Sequence, residues 1–402
     1  LSNPKDYSHS IQGIKGLRCS GHLDLLRGAD AILVVLVHQI DLFFDPVHAP
    51  PGALTSFLNF FLNQGSSAVI TFFVLSGYLV SLSLIENLRK PGSPWLKYAI
   101  TRISRLHTVL IPSLVLCAAW DWLGMRLFGL HNVYGGVLLG TVCAPVSVID
   151  RTSLVSFFGN ILCLQNILVP LFGSNGALWS LSCEFWYYVL FPFLLCLLYP
   201  KDRIWWQRLL YIVLVIAGLF FIGGLMSFRF LIWLMGTALI FIPLIKAWKD
   251  RPSLWRYGGI VALIVFIIRL NITGNFHAPP LGFLPTELVL GITCMGCIYF
   301  SLHDRAPIAS GFDKSYCGFA AFLASFSYTI YLLHMPLLFF IRAAFIKDKL
   351  WPIDPEHFLY AILIFFLVMF YAWLVSHFTE AKTYLVRRYL NSLFLRESKS
   401  AE

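Results

Sequence analysis

Residues 23–45 read LDLLRGADAILVVLVHQIDLFFD, and the fold is decided by how this stretch is read. It enters an apolar helix through a basic end at Arg27 and carries His38 toward the middle of that helix. Arg27 and His38 are eleven positions apart. At about 100° and 1.5 Å per residue they fall within about 20° of one face, about 16 Å apart along the axis. Such a stripe suits a reagent that comes in from the inner surface and reacts within the bilayer. An ionisable side chain inside a spanning helix is a functional candidate by default, because hydrocarbon penalises it. A histidine bonded to the backbone of a neighbouring helix is the other reading, and this helix alone leaves both open.

The rest of the chain supports a membrane setting. Of its 402 residues 58% are hydrophobic and 12% charged, with a mean hydropathy of +0.75. A soluble domain of this size does not carry so little charge, so the chain is read as an all-α polytopic membrane protein. Ser2 to Gly21 is polar and lacks the small-residue cleavage site of a secretory leader, so 1–22 is read as a cytoplasmic N-terminal segment. The nine cysteines are scattered, mostly in apolar runs. Cys294 and Cys297 have metal-like spacing but no second pair nearby, so the cysteines are read as packing residues and no metal is expected.

Apolar runs of spanning length occur at 28–45, 66–85, 106–123, 178–199, 208–224, 229–245, 257–270, 283–302, 318–341 and 357–378. With a cytoplasmic N-terminus, all but seven of the 30 Lys and Arg fall on the inner side. The seven are Arg126, Arg151, Arg229, Arg269, Arg342, Lys347 and Lys349. Both termini are therefore expected in the cytoplasm, and the net charge of +10 is topological rather than a sign of nucleic acid. Between the third and fourth runs, 154–172 is apolar but holds Asn160, Gln165, Asn166 and Pro170. A further span there would put the later basic loops outside, so it is read as re-entrant or interfacial and as a source of cavity wall. The whole of 1–402 is expected to be one membrane-embedded domain, with a basic cytoplasmic tail at 379–402 and no fused soluble domain. Asn271-Ile272-Thr273 is a sequon in an expected outer loop.

Four further stretches carry chemistry. In Thr71–Tyr78, Ser76 and Gly77 allow close approach of a ligand or of another helix; a packing notch with Ser76 bonded to its own backbone is the alternative. Arg102 and Arg105 lie three apart and share a face, which fits phosphate oxygens as well as it fits a topogenic charge pair. Glu184, near the outer end of the 178–199 run, is expected about 9 Å below the outer surface, away from the arginines at the cytoplasmic mouth of the third run, and requires a partner. Trp179 beside it could stack on a sugar ring or belong to an interfacial belt. His334 precedes Pro336, so it either serves chemistry or bonds a carbonyl freed by the proline.

Taken together and in order, these stretches resemble the acyltransferase-3 family of bacterial inner-membrane acyltransferases, from Leu23 to about Glu380. Arg27 and His38 look like its arginine-x10-histidine pair, following a Leu-Asp-x-Leu-Arg-Gly opening that includes Asp24. Phe72 to Gly77 looks like its Phe-Phe-x-x-Ser-Gly motif, and Arg102 with Arg105 like its RxxR motif. Trp179 to Glu184 looks like its Trp-Ser-Leu-x-x-Glu element, and Ser327 to His334 like its Ser-Tyr-x-x-Tyr-Leu-x-His. Two departures are Asp30, where the family usually has an apolar residue, and the absence of a proline just after Arg105.

The resemblance implies transfer of an acyl group, usually acetyl, from cytoplasmic acyl-CoA to a hydroxyl, commonly on a carbohydrate. It implies no metal cofactor and no nucleic acid, with membrane lipids around the chain. On that reading Arg27, Arg102, Arg105 and Ser76 bind the acyl-CoA. His38 is the general base or an acyl relay, and Glu184 orients the acceptor or acts as a second base. Asp24, Asp41, Trp179 and His334 support them. Burial favours a neutral His38, whereas a carboxylate such as Asp41 one turn along would favour the charged ring. A transporter or flippase of a sugar or lipid-linked sugar is the rival class, because buried charges and broken membrane segments also mark translocation paths.

Overall fold

A computed structural model describes residues 14, 16–45, 49–62, 64–89, 92–136, 147–198, 204–245, 283–346 and 349–395. The 257–270 run, the Asn271 sequon, most of 1–22 and the end of the tail at 396–402 lie outside them. So do thirteen of the basic residues used for orientation: Lys5, Lys15, Lys90, Lys201, Arg203, Lys246, Lys249, Arg251, Arg256, Arg269, Lys347, Arg396 and Lys399.

The described chain is helical, with α1 (Arg18–Phe43), α2 (Ala53–Leu62), α3 (Gly65–Leu88) and α4 (Pro94–Phe128) in its first third. After a long connection carrying the short α5 (Leu154–Ile161) come α6 (Leu178–Leu198), α7 (Trp205–Ile222) and α8 (Gly224–Ala238). The last third holds α9 (Phe283–Ser301), α10 (Gly311–Ser325), α11 (Ser327–Phe345), α12 (Pro355–Ser376) and α13 (Thr383–Phe394). Seven helical stretches among the described residues are long and apolar enough to cross a membrane. They are Ala53–Leu88, Pro94–Phe128, Leu178–Leu198, Trp205–Ile222, Gly224–Phe241, Ser327–Phe345 and Pro355–Phe394. This is a polytopic membrane protein. The 26-residue α1 is long enough, at about 39 Å, but Arg18, Asp24, Arg27, Asp30 and Asp41 make it too polar to join them.

Burial separates centre from periphery. In α11 and in the α2–α3 stretch 78% of the apolar window is enclosed by protein, against 6% in α7. The exposed Leu, Ile and Phe of α7 therefore suit contact with acyl chains. Around α11 pack α1 and α4, and α1 in turn packs on α3 and α10. Small residues set the closest approaches. A Cβ at Gly77 would overlap the carbonyl oxygen of Trp233, and one at Gly236 would overlap that of Val74, so α3 and α8 meet backbone to backbone.

The 318–341 run is two helices rather than one span. Phe326 leaves helical geometry at φ −127°, so α10 stops and α11 starts afresh. The new first turn has unsatisfied N–H groups, and the Glu380 carboxylate accepts from Thr329 N and Oγ1, both at 3.0 Å.

Within the connection before α6, 154–172 folds as one eight-residue helix followed by irregular backbone, with Cys163 and Asn166 at positive φ. Its polar residues satisfy that backbone from inside. Asn160 donates to the Pro170 carbonyl (2.9 Å) and accepts from Phe172 N (3.2 Å), and Gln165 donates to the Leu178 carbonyl (2.9 Å). Buried Asp121 of α4 accepts from Ser174 N and Oγ at 2.8 and 2.6 Å. Leu154, Val155, Phe158, Leu162 and Leu168 are exposed on the other side. None of 154–172 lines the cavity between α1, α3, α4, α6 and α11; the polar groups of that stretch moor the connection.

At the start of α1 a polar clamp ties the chain to the α9–α10 corner. Arg18 bridges Asp304 (3.0 Å) and Asp313 (3.4 Å), while His22 reaches Asp304 (3.1 Å) and the Tyr316 hydroxyl (2.7 Å). Burial opposes ionisation of Asp304, but the His22 bond and the Arg18 charge outweigh it and hold its carboxyl below the ordinary range.

Candidate active site

Between α1, α3, α4, α6 and α11 lies a cavity of about 90 Å³. Arg27 of α1, Ser76 of α3, Arg102 and Arg105 of α4, and Glu184 of α6 all line it. Five residues chosen from separate stretches of sequence thus share one wall. With them are Ser180, Tyr188, Tyr328 and Tyr331.

The charges in this wall are partly paired. Arg27 reaches Asp24 one turn away at 3.0 Å, which leaves its Nε enclosed without a hydrogen-bond partner. Arg102 lies over the rings of Tyr98 and Tyr188, 5.8 and 5.7 Å from their centroids, and its Nε is likewise unpartnered. Such a stack fixes the plane of a guanidinium while leaving its edge donors free. Arg105 is exposed and makes no salt bridge among the described residues. Glu184 accepts hydrogen bonds from Ser76 Oγ (2.7 Å) and the Tyr188 hydroxyl, and it interacts with Arg102. The sequence reading set Glu184 apart from the arginines; here carboxylate and guanidiniums face one space. Ser76 does not bond its own helix backbone. It donates to Glu184 and accepts from Trp233 Nε1 (3.3 Å), while Gly77 provides the packing notch.

His38 is not part of that wall. Its partner His334 has its ring 6.2 Å from that of Tyr331, which lines the cavity and whose hydroxyl is bonded to Ser180 Oγ. His38 Nδ1 and His334 Nε2 are 2.7 Å apart with the rings within 6° of parallel. The other nitrogen of His334, Nδ1, is 2.9 Å from the Ile330 carbonyl oxygen and must donate to it. A neutral His334 then offers a lone pair at Nε2, so His38 donates from Nδ1. The lone pair of His38 is thereby fixed on Nε2, which makes no hydrogen bond among the described residues, and His38 keeps some exposure. The carbonyl freed by Pro336 is that of Leu332, and Asn175 rather than His334 takes it, at 2.8 Å.

The remaining candidates are distributed differently. Asp24 sits beside Arg27, outside the lining. Asp41 is buried and interacts with Arg342 instead of His38, because the Arg342 guanidinium also reaches the Leu42 carbonyl on the same turn. Trp179 carries Arg229 over its face at 4.6 Å, and Arg229 is bound to Glu287 at 2.6 Å. Arg229 and Arg342, read as outer-segment charges, are thus helix residues of α8 and α11 with buried partners, since hydropathy windows register charge but not pairing. Asp30 is buried with one carboxylate oxygen unpartnered. Among the described residues no cluster of His, Cys, Asp and Glu could hold a metal ion.

Tyr188 went unnoticed in the sequence, and Tyr331 stood there only as a position of the Ser327–His334 stretch. Tyr188 lies one turn after Glu184 and Tyr331 one turn before His334, so each shares a face with a candidate, a signal that the i,i+3 and i,i+4 spacing could have supplied.

Fold and cavity define a polytopic membrane protein with a polar site inside its helical core, built from guanidiniums, a carboxylate and a histidine pair. A comparison with protein families identifies which one: the acyltransferase domain of the acyltransferase 3 family matches residues 21–377. The chain belongs to that family and is a membrane acyltransferase. No curated protein and no solved structure matches it.

Proposed function

We propose that the protein transfers an acyl group, acetyl in the first instance, from cytoplasmic acyl-CoA to a hydroxyl of a carbohydrate acceptor such as an exopolysaccharide, lipopolysaccharide, glucan or lipid-linked sugar. The carrying observation is the gathering of Arg27, Arg102, Arg105, Ser76 and Glu184 on one cavity, one tyrosine away from a histidine with an unengaged Nε2. The setting is a bacterial inner membrane, with about ten spans, the connection at 154–172 interfacial, and both termini in the cytoplasm.

On this reading the donor's phosphates rest on Arg102 and Arg105, with Arg27 beside them, because guanidinium edges match phosphate oxygens in pairs. The thioester end enters the cavity past Ser76. A space of about 90 Å³ admits only the slender end of the arm, and its passage to His38 requires Tyr331 to leave Ser180. The acceptor hydroxyl gives its proton to His38 Nε2 as its oxygen attacks the thioester carbonyl carbon. The carbon–sulfur bond breaks and the departing thiolate takes the proton from the imidazolium, leaving ester and free CoA thiol. His334 holds the required tautomer throughout. Glu184, bonded to Ser76 and Tyr188, orients the acceptor or the reacting carbonyl.

Purified protein in detergent, given acetyl-CoA labelled in the acetyl group and a sugar acceptor, tests this. Consumption of the thioester with label appearing on the sugar is expected. Sugar binding or movement without any loss of thioester would instead assign the protein to transport.

A further inference from the structure

The family match ends at residue 377, and the chain beyond it comes beside two residues of the cavity wall. Glu380, held by Thr329 at the start of α11, interacts with both Arg27 and Arg105. Following it, α13 packs along α4, the helix that carries the paired arginines. None of its residues is fully buried, but Arg387 is half-buried on this helix and lies within electrostatic range of Arg105 on α4. Neither arginine makes a salt bridge among the described residues, and Arg387 Nε is enclosed without a partner. Packing that presses two guanidiniums together is unfavourable unless an anion joins them. Glu380 brings one negative charge to Arg27 and Arg105 together, so the further charge of Arg387 is left unmet.

We infer that the C-terminal segment completes the donor site, with Arg387 and Arg105 binding a phosphate group of the acyl-CoA between them. This rests on the acyl-CoA reading above and extends it to residues outside the family match. In this arrangement Glu380 keeps Arg27 and Arg105 in place at the start of α11, and the phosphate supplies the charge that Glu380 leaves unmet. The neighbouring Arg388 is exposed and has no such position, so it serves as an internal control of equal charge.

Calorimetric titration of the full chain in detergent with CoA and with pantetheine, which lacks phosphate, separates the outcomes. Arg387→Gln is expected to bind CoA roughly 5- to 20-fold more weakly, as for loss of one charge-assisted contact, with pantetheine unchanged. Arg387→Lys recovers part of the loss, and Arg388→Gln stays within about twofold of the parent, as expected for an exposed charge. Equal CoA binding by the parent and Arg387→Gln would overturn the inference while leaving the donor reading intact. So would a parallel loss for CoA and pantetheine, which would mark a merely structural arginine. Failure of the parent to bind CoA at all would remove the donor reading and this inference with it.

Discussion

His38 and His334 meet through one hydrogen bond, Nδ1 to Nε2 at 2.7 Å, although 296 residues separate them in the chain. Because the Ile330 carbonyl oxygen fixes the proton of His334 on Nδ1, it also decides which nitrogen of His38 is free. The two histidines therefore have unequal parts. His38→Ala is expected to lower turnover by about 10²- to 10⁴-fold, the ordinary worth of a general base. His334→Ala leaves the base present but its tautomer unheld, so turnover falls less, by roughly 10- to 100-fold, while the Kd for CoA does not move. Steady-state kinetics and CoA titration on both variants check this; equal, near-normal turnover in either would reject the pairing as functional.

Arg102 has a lock that Arg105 lacks. The rings of Tyr98 and Tyr188 hold its plane, whereas Arg105 is exposed beside it. Lysine keeps the charge but can neither stack flat nor present a fork. Arg102→Lys should therefore weaken CoA binding by about tenfold, one strong contact's worth, and Arg105→Lys by less. Raising the salt concentration should lower affinity more at exposed Arg105 than at Arg102, since exposed charges are screened more strongly. Titrations at two ionic strengths measure both effects.

The runs at 66–85, 106–123, 178–199, 208–224, 229–245 and 357–378 were legible as spans because about twenty apolar residues in a row have few other fates. Interruptions were less so. Phe326 breaks the 318–341 run between Ser325 and Ser327, a weak local signal, and the carboxylate that makes the break tolerable, Glu380, comes 54 residues later. Ser76, Arg102 and Glu184 could each be named from local pattern, since each is a polar residue in an apolar run. That they share a wall with Arg27 depends on how four helices pack, which periodicity does not encode. The same limit hid the partners of Arg229 and Arg342. A charge in a window counts against the membrane whether or not Glu287 or Asp41 stands opposite.

Gly77 divides labour with its neighbour. The backbones of α3 and α8 touch at Gly77 and Gly236, so a methyl group at either has backbone in its way rather than a flexible side chain. Gly77→Ala is expected to cost about 1–3 kcal/mol or more, as overpacking does, and to lower the unfolding temperature in detergent. Ser76→Ala leaves that contact alone but takes the acceptor from Trp233 Nε1 and a donor from Glu184, so it should lower the unfolding temperature less than Gly77→Ala does while losing turnover. If Gly77→Ala unfolds like the parent, the two helices do not approach as described.

Glu184 offers the sharpest test of the cavity. Its carboxylate accepts from Ser76 and Tyr188 and faces the Arg102 charge. Glu184→Gln keeps the shape and one acceptor oxygen but removes the negative charge. Two consequences oppose each other. Donor phosphate should bind at least as tightly, because Arg102 then faces no competing anion, whereas turnover should fall by at least about tenfold if the carboxylate positions the reacting groups, since a charged acceptor bond is worth about 1.5–3 kcal/mol. Kd and kcat measured on the same preparation separate them. A variant that loses CoA affinity and turnover together would instead make Glu184 a structural support for Arg102, and the cavity's chemistry would then have to rest on the histidine pair alone.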